Sequence, residues 1–183
     1  MVYVALLRGI NVGGKNKIDM KLLKKTFERT GMKSVVTYIN SGNIIFTHDR
    51  ISKIEISHMI EEAIYEDFGL HIKIVIRSFD EFKILINSLP ESWGNDQHMK
   101  SDVMFLWVDI DEESVIQKLN IKPEIDTVKY VTGAILWSVD KENASKSGKI
   151  KLIGSDLYKK MTIRNVNTTR KIYQLMYEEF SNY

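Results

Sequence analysis

The chain opens on an apolar run, Val2–Leu7, in which both alternating sets are hydrophobic: Val2, Val4 and Leu6 on one, Tyr3, Ala5 and Leu7 on the other. A short run of that kind predicts a strand covered on both faces. Asp19 is then placed to cap a helix whose Met20, Leu23 and Phe27 share one side, with Gly31 as its stop. Val35–Ile39 and Ile44–Thr47 read as strands joined by Asn40-Ser41-Gly42-Asn43, a tetrapeptide of turn-forming residues. Ser52 and Glu55 form a capping box for a helix to about Asp67, which turns Ile56, Ile60 and Ala63 inward and stops at Gly69. His71–Arg77 alternates Ile72, Ile74 and Ile76 with polar neighbours, the period of a half-buried strand. The resulting order, β-α-β-β-α-β, is that of the ferredoxin-like unit.

The second half repeats much of this order. A helix over about Phe79–Leu89 leads into a loop with Pro90, Trp93 and Gly94. Val103–Asp109 reads as a strand with Val103, Phe105 and Trp107 on one face, and Glu112–Leu119 as a helix. Asp126–Val131 and Ala134–Val139 form a hairpin around Thr132-Gly133. Ser145–Gly148 reads as a polar, mobile loop. Helical segments around Ile150–Met161 and Thr168–Phe180 flank a short strand at Thr162-Ile163-Arg164. The expected fold class is therefore α+β: two ferredoxin-like (α/β-plait) subdomains packed together, plus a C-terminal helix. Their expected bounds are 1–80 and 81–183, the second with extra helices. The other subdomain or the C-terminal helix would cover the second face of the first strand. Identity between the halves is too low to establish a duplication.

Charge changes the picture more than composition does. The formal net charge is only +2, yet residues 1–33 carry eight Lys/Arg against two acids, and residues 149–171 carry seven against one. Two basic segments in an otherwise acidic chain suit one positive face for an anionic partner. The plainer reading is that these lysines solvate the backs of helices, which Lys21, Lys24, Lys25 and Glu28 fit well. The absence of cysteine excludes disulfides, thiol catalysis and thiolate metal sites. No segment approaches the length of a membrane span, and the N-terminus lacks the pattern of a signal peptide, so the sequence reads as cytoplasmic with no membrane partner. The four histidines are scattered without metal or nucleophile–base spacing, so no metal site is indicated, and the cofactor is left unknown.

The candidate site is the loop after the first strand, Arg8-Gly9-Ile10-Asn11-Val12-Gly13-Gly14-Lys15. Three glycines there can present bare backbone N–H groups beside two cations. In the ferredoxin-like order this loop and the Asn40–Asn43 turn leave the same sheet edge. Arg8, Gly9, Asn11, Gly13, Gly14, Lys15, Ser41 and Asn43 then surround one concavity. Arg164 and Asn165, at the start of the last helix, are candidate additional contacts; the bland alternative there is an N-cap from Asn167 or Thr168. Equally, the glycines serve a tight loop, the asparagines satisfy turn backbone, and Arg8 pairs with a carboxylate at the core's edge.

Two familiar motifs are approached and not met. Gly9-x-x-x-x-Gly14-Lys15-Asn16 falls short of a phosphate loop, because Asn16 lacks the magnesium-binding hydroxyl and the helix starts near Asp19. Val2–Leu7 resembles the strand-one signature of RNA-recognition motifs. The strand-three segment, Ser41-Gly42-Asn43-Ile44-Ile45-Phe46, has Asn and Ile where stacking rings belong.

Three longer runs carry a resemblance to a family: Ala5 to Lys15, Thr37 to Phe46, and Met161-Thr162-Ile163-Arg164-Asn165-Val166-Asn167-Thr168. They resemble, in order, the opening motif, the Tyr-x-x-Ser-Gly-Asn segment and the late Thr-x-Arg-Asn-x-Asn-Thr segment of the uncharacterised bacterial family called domain of unknown function 1697. Val166 stands where that family commonly has Trp. The resemblance implies two ferredoxin-like subdomains and no particular activity. The function expected from the residues is binding of an anionic, phosphorylated or nucleotide-like ligand, a small molecule or nucleic acid, at the Gly-rich loop. Two alternatives stand beside it. One is an enzyme acting on such a ligand, with Arg8 or Lys15 as electrophilic stabiliser. The other is a protein-interaction module using a sheet edge or the Trp93 loop.

Overall fold

A computed structural model of the chain describes residues 1–49 and 51–182. In order, the elements are β1 (Val2–Leu7), α1 (Met20–Arg29), β2 (Lys33–Tyr38), β3 (Asn43–Thr47), α2 (Lys53–Phe68), β4 (Ile74–Ser78), α3 (Phe79–Ser88), β5 (Met99–Leu106), β6 (Asp126–Val131), β7 (Ala134–Asp140), α4 (Lys149–Ile153), β8 (Met161–Asn165) and α5 (Val166–Ser181). The fold is mixed α+β with two four-stranded antiparallel sheets, ordered β2-β3-β1-β4 and β6-β7-β5-β8. The chain divides into two compact units, Met1–Phe82 with Ile172–Tyr183, and Lys83–Lys171. Among the described residues, no helix is long and apolar enough to cross a membrane.

In the first unit β1 is central, paired with β3 (Val4 opposite Ile45) and with β4 (Ala5 opposite Ile76). Tyr3, Ala5 and Leu7 join Leu23 and Phe27 of α1 and Ile56, Ile60 and Ile64 of α2 in one buried cluster. The helices end where local chemistry dictates. Asp19 Oδ1 accepts from the amides of Lys21 and Leu22, Ser52 and Glu55 close a capping box, and Gly69 takes the left-handed C-cap. Val2, Val4 and Leu6, on the other face of β1, are buried as well, as the two-sided apolar pattern requires. The last stretch, from Ile172, belongs to this unit rather than to the second, where the sequence reading places it. Its Tyr173 and Phe180 rings stack on Phe79, with centroids 5.7 and 4.4 Å away, and aromatic stacking of that kind is not visible in sequence order.

The second unit repeats the strand order of the first, with β5 in the place of β1 and β8 in that of β4. The repeat extends to side chains. Arg77 and Arg164 each hold the fourth position of their strand. Each guanidinium donates to the preceding carbonyl, Ile76 O at 3.0 Å and Ile163 O at 2.9 Å. The next residue then opens a helix: Ser78 Oγ accepts from Glu81 N, and Asn165 Oδ1 from Thr168 N.

The connections are where the repeat weakens. The expected helix over Glu112–Leu119 is a 3-10 segment, Glu113–Lys118, because Val115 is its one buried side chain and no apolar stripe supports an α-helix. The segment around Ile150–Met161 holds only the five-residue α4 and a 3-10 turn, Leu157–Lys160. Strand β5 begins earlier than expected, at Met99, and ends at Leu106, since Trp107 N bonds Lys160 O and Val108–Ile110 turns into a 3-10 segment.

Ser145–Gly148 is not a mobile loop. Ser147 and Gly148 are buried, and both bond the carboxylate of Asp126. Asp126 is itself buried and accepts from four groups: Ser147 Oγ at 2.6 Å, Trp137 Nε1 at 3.1 Å, and the amides of Lys122 and Gly148, each at 2.9 Å. Burial alone would raise the pKa of this carboxyl, but the four donors prevail and hold it below its ordinary value.

Candidate functional site

The loop between β1 and α1 meets the β2–β3 turn. Leu7 N donates to Gly42 O at 2.9 Å and Arg8 N to Lys73 O at 3.0 Å, which fixes the root of the loop. Asn11 then ties the two loops together. Its Nδ2 donates to Asn40 O at 2.9 Å and to Ile18 O at 3.1 Å, and its Oδ1 accepts from Ile18 N at 2.8 Å. Asn43 is fully buried and does the same inside the turn, its Nδ2 donating to Tyr38 O and Ser41 Oγ, both at 3.0 Å. The amide side chains of these two candidates therefore build the site's frame.

The tip of the loop is a miniature hairpin. Lys15 N donates to Val12 O at 3.0 Å, and the two residues between, Gly13 and Gly14, both have positive φ, 56° and 75°. That pair of angles is the mark of a type I′ turn, which side chains with a Cβ resist. Gly9, Gly13, Gly14, Lys15 and Lys17 are all exposed, and Arg8 is half-buried. Among the described residues, the amides of Gly13 and Gly14 make no hydrogen bond within the fold, and Lys15 and Lys17 make no ion pair. A shallow depression of about 530 Å³ lies beside the tip, bordered by Gly14, Lys17, Met20 and Asn40. Lys17 was not among the residues that sequence reasoning selected; its place becomes evident only once Asn11 and Asn16 fold the loop back, with Asn11 N bonding Asn16 O.

Helix α1 contributes no free N-terminus to this site. It begins five residues after Lys15, and the Asp19 carboxylate occupies its first amides. The cradle of a nucleotide-hydrolysing phosphate loop is therefore not built here.

Backbone strain gathers at the same place. Seven residues of the two loops have φ in the left-handed region: Gly9, Asn11, Gly13, Gly14, Asn16, Ile39 and Gly42, out of eleven in the described chain. Ile39 is the costly one, because a β-branched side chain at φ 48° is a true outlier. It is also 48% exposed, so little packing holds it there. Replacing Ile39 with asparagine, which tolerates this conformation, is expected to stabilise the protein by about 1 kcal/mol, read as a rise in thermal midpoint. A drop in midpoint would show that the isoleucine side chain is held by contacts worth more than the strain.

Arg164 and Asn165 lie in the second unit, on β8. Asn165 supplies the N-cap of α5, so the cap is Asn165 and not Asn167 or Thr168. Thr169 Oγ1 donates to Asn165 O, and Asn167 Nδ2 reaches Asn95 O. Arg164 is 7% exposed and donates to Thr162 Oγ1 at 2.9 Å. Its burial lowers its pKa to about 10, which leaves it cationic at neutral pH. Arg77, its counterpart in the first unit, is a residue that sequence reading did not single out, and only the strand register reveals the match.

The family model described as Protein of unknown function (DUF1697) matches residues 1–137. The chain belongs to this family. The matched part of this DUF1697 protein contains both converging loops, whereas the Arg164-Asn165 segment lies beyond it. Among solved structures, the conserved bacterial protein SP0830 from Streptococcus pneumoniae is similar to it, with 32% sequence identity and a TM-score of 0.81, over 96% of this chain and 98% of that one. No curated protein matches the chain.

Proposed function

We propose that this DUF1697 protein is a binding protein for an anionic, phosphorylated or nucleotide-like ligand, held at the tip of the β1–α1 loop. The observation that carries the proposal is the exposed Gly13-Gly14 turn, with two amides unused by the fold and Lys15 and Lys17 flanking it without ion pairs among the described residues. Consecutive bare amides beside cations are a recurrent way to hold phosphate oxygens. Arg8 stands at the root of the same loop. Asn11, Asn43 and Ser41 act in this proposal by fixing the two loops against each other, and Arg164 and Asn165 are not needed for it. The same proposal reads each unit as a ferredoxin-like plait, in which the loop after the first strand and the turn between the second and third leave one sheet edge.

Calorimetric titration with pyrophosphate and with ADP tests it. Saturable binding is expected for the wild type, and loss of about tenfold or more in affinity for Lys15→Ala/Lys17→Ala with the thermal midpoint unchanged. Binding left intact in that variant would move the site elsewhere, and no binding to either probe would remove the proposal.

A further inference from the structure

The helix that follows the loop carries further cations. Lys21 and Lys25 lie one turn apart on the outer face of α1, about 6 Å along its axis, and both are exposed. Like Lys15 and Lys17, neither makes an ion pair among the described residues. Of the acids near these lysines, Asp19 caps the helix and borders the depression beside the tip, Glu28 lies 3.9 Å from Lys24, and Asp67 and Glu66 of α2 hold Arg29. The loop and the helix that follows it thus present four exposed lysines, Lys15, Lys17, Lys21 and Lys25, with no ion pair among the described residues.

No wall encloses these lysines. The depression beside the tip is shallow, and its rim holds one of the four lysines. A single small phosphate would meet the tip and leave Lys21 and Lys25 unused. An extended phosphate chain would meet all four. Resting on the reading of the tip as an anion contact, we infer that the ligand is a nucleic-acid phosphodiester backbone, gripped through its phosphates without reading its bases. The sheet offers no base-stacking platform to contradict this, since Asn43, Ile44 and Ile45 are buried parts of β3.

Fluorescence anisotropy with oligonucleotides of about 12 residues, single-stranded and duplex, across a salt series tests the inference. Four phosphate contacts predict a slope of log affinity against log salt of about −3 on either form. Lys21→Ala/Lys25→Ala should bring the slope to about −1.5 and weaken binding about tenfold at low salt, while leaving pyrophosphate binding at the tip unchanged. A slope near −1 for the wild type, or no effect of the double variant, overturns the inference; pyrophosphate binding that still depends on Lys15 would then leave the anion site standing. Failure of both oligonucleotide and pyrophosphate to bind removes the two together. A poly-aspartate peptide that binds as tightly and with the same slope overturns the nucleic-acid assignment.

Discussion

Asp126→Ala is expected to destabilise the second unit by about 4 kcal/mol, the largest effect of any single side-chain truncation considered. The loss follows from the four donors it satisfies: Ser147 Oγ, Trp137 Nε1 and two backbone amides, gathered around a buried carboxylate. Each buried donor left without a partner costs about 1–3 kcal/mol. Thermal unfolding should fall by roughly 10 °C for a chain of this size. Amide exchange should accelerate first at Ser147 and Gly148, which this carboxylate pins. A change of less than about 1 kcal/mol would mean that water replaces the carboxylate and that the network holds little. The same group sets an acid limit. Its folded pKa is depressed, so its contribution is fully present above the ordinary carboxylate value of 3.8 and is lost as pH falls through the folded value. Wild-type stability should decline below about pH 4, and Asp126→Ala should show less of that decline.

Gly42→Ala is expected to cost about 3 kcal/mol. A Cβ on Gly42 would sit 2.7 Å from Leu7 Cβ and 2.9 Å from Ile10 Cδ1, and its φ of 83° is strained for any side chain. Overpacking of about 1–3 kcal/mol adds to a left-handed penalty of about 1–2 kcal/mol. Gly13→Ala is the informative control. It shares a positive φ, but a Cβ there meets nothing within 4 Å. Its cost should be about 1 kcal/mol, so chemical denaturation of the two variants separates close packing from backbone strain. Equal costs would show that Leu7 and Ile10 yield readily and that the loops are less tightly joined than the 2.9 Å Leu7–Gly42 bond implies.

What could be read in the sequence is what is local in the chain. The Asp19 cap, the Ser52–Glu55 box, the Gly69 stop and the Thr132-Gly133 hairpin each depend on residues within four positions of one another. The meeting of the two loops was legible for a related reason: once the strand order is guessed, Arg8–Lys15 and Asn40–Asn43 must leave one edge. The roles inside it were not. The bonds that Asn11 and Asn43 make, to Asn40 O and Tyr38 O, could not be read, because those partners are brought up by the pairing of different strands. The Asp126 latch collects donors from positions 122, 137, 147 and 148, a convergence that no periodicity encodes. The short 3-10 segments of the second unit escaped for the opposite reason. Their polarity resembles a helix back, and only the lack of an apolar stripe distinguishes them.

The proposed meeting point with an anion is the Gly13-Gly14 turn. The most direct measurement is a titration of ¹⁵N-labelled protein with pyrophosphate, following backbone amide resonances. Saturable shifts are expected at Gly13, Gly14 and Lys15, with Lys17 affected and the buried amides around Asp126 unmoved. Shifts confined to other surfaces, or none at the turn at saturating pyrophosphate, would contradict the proposal.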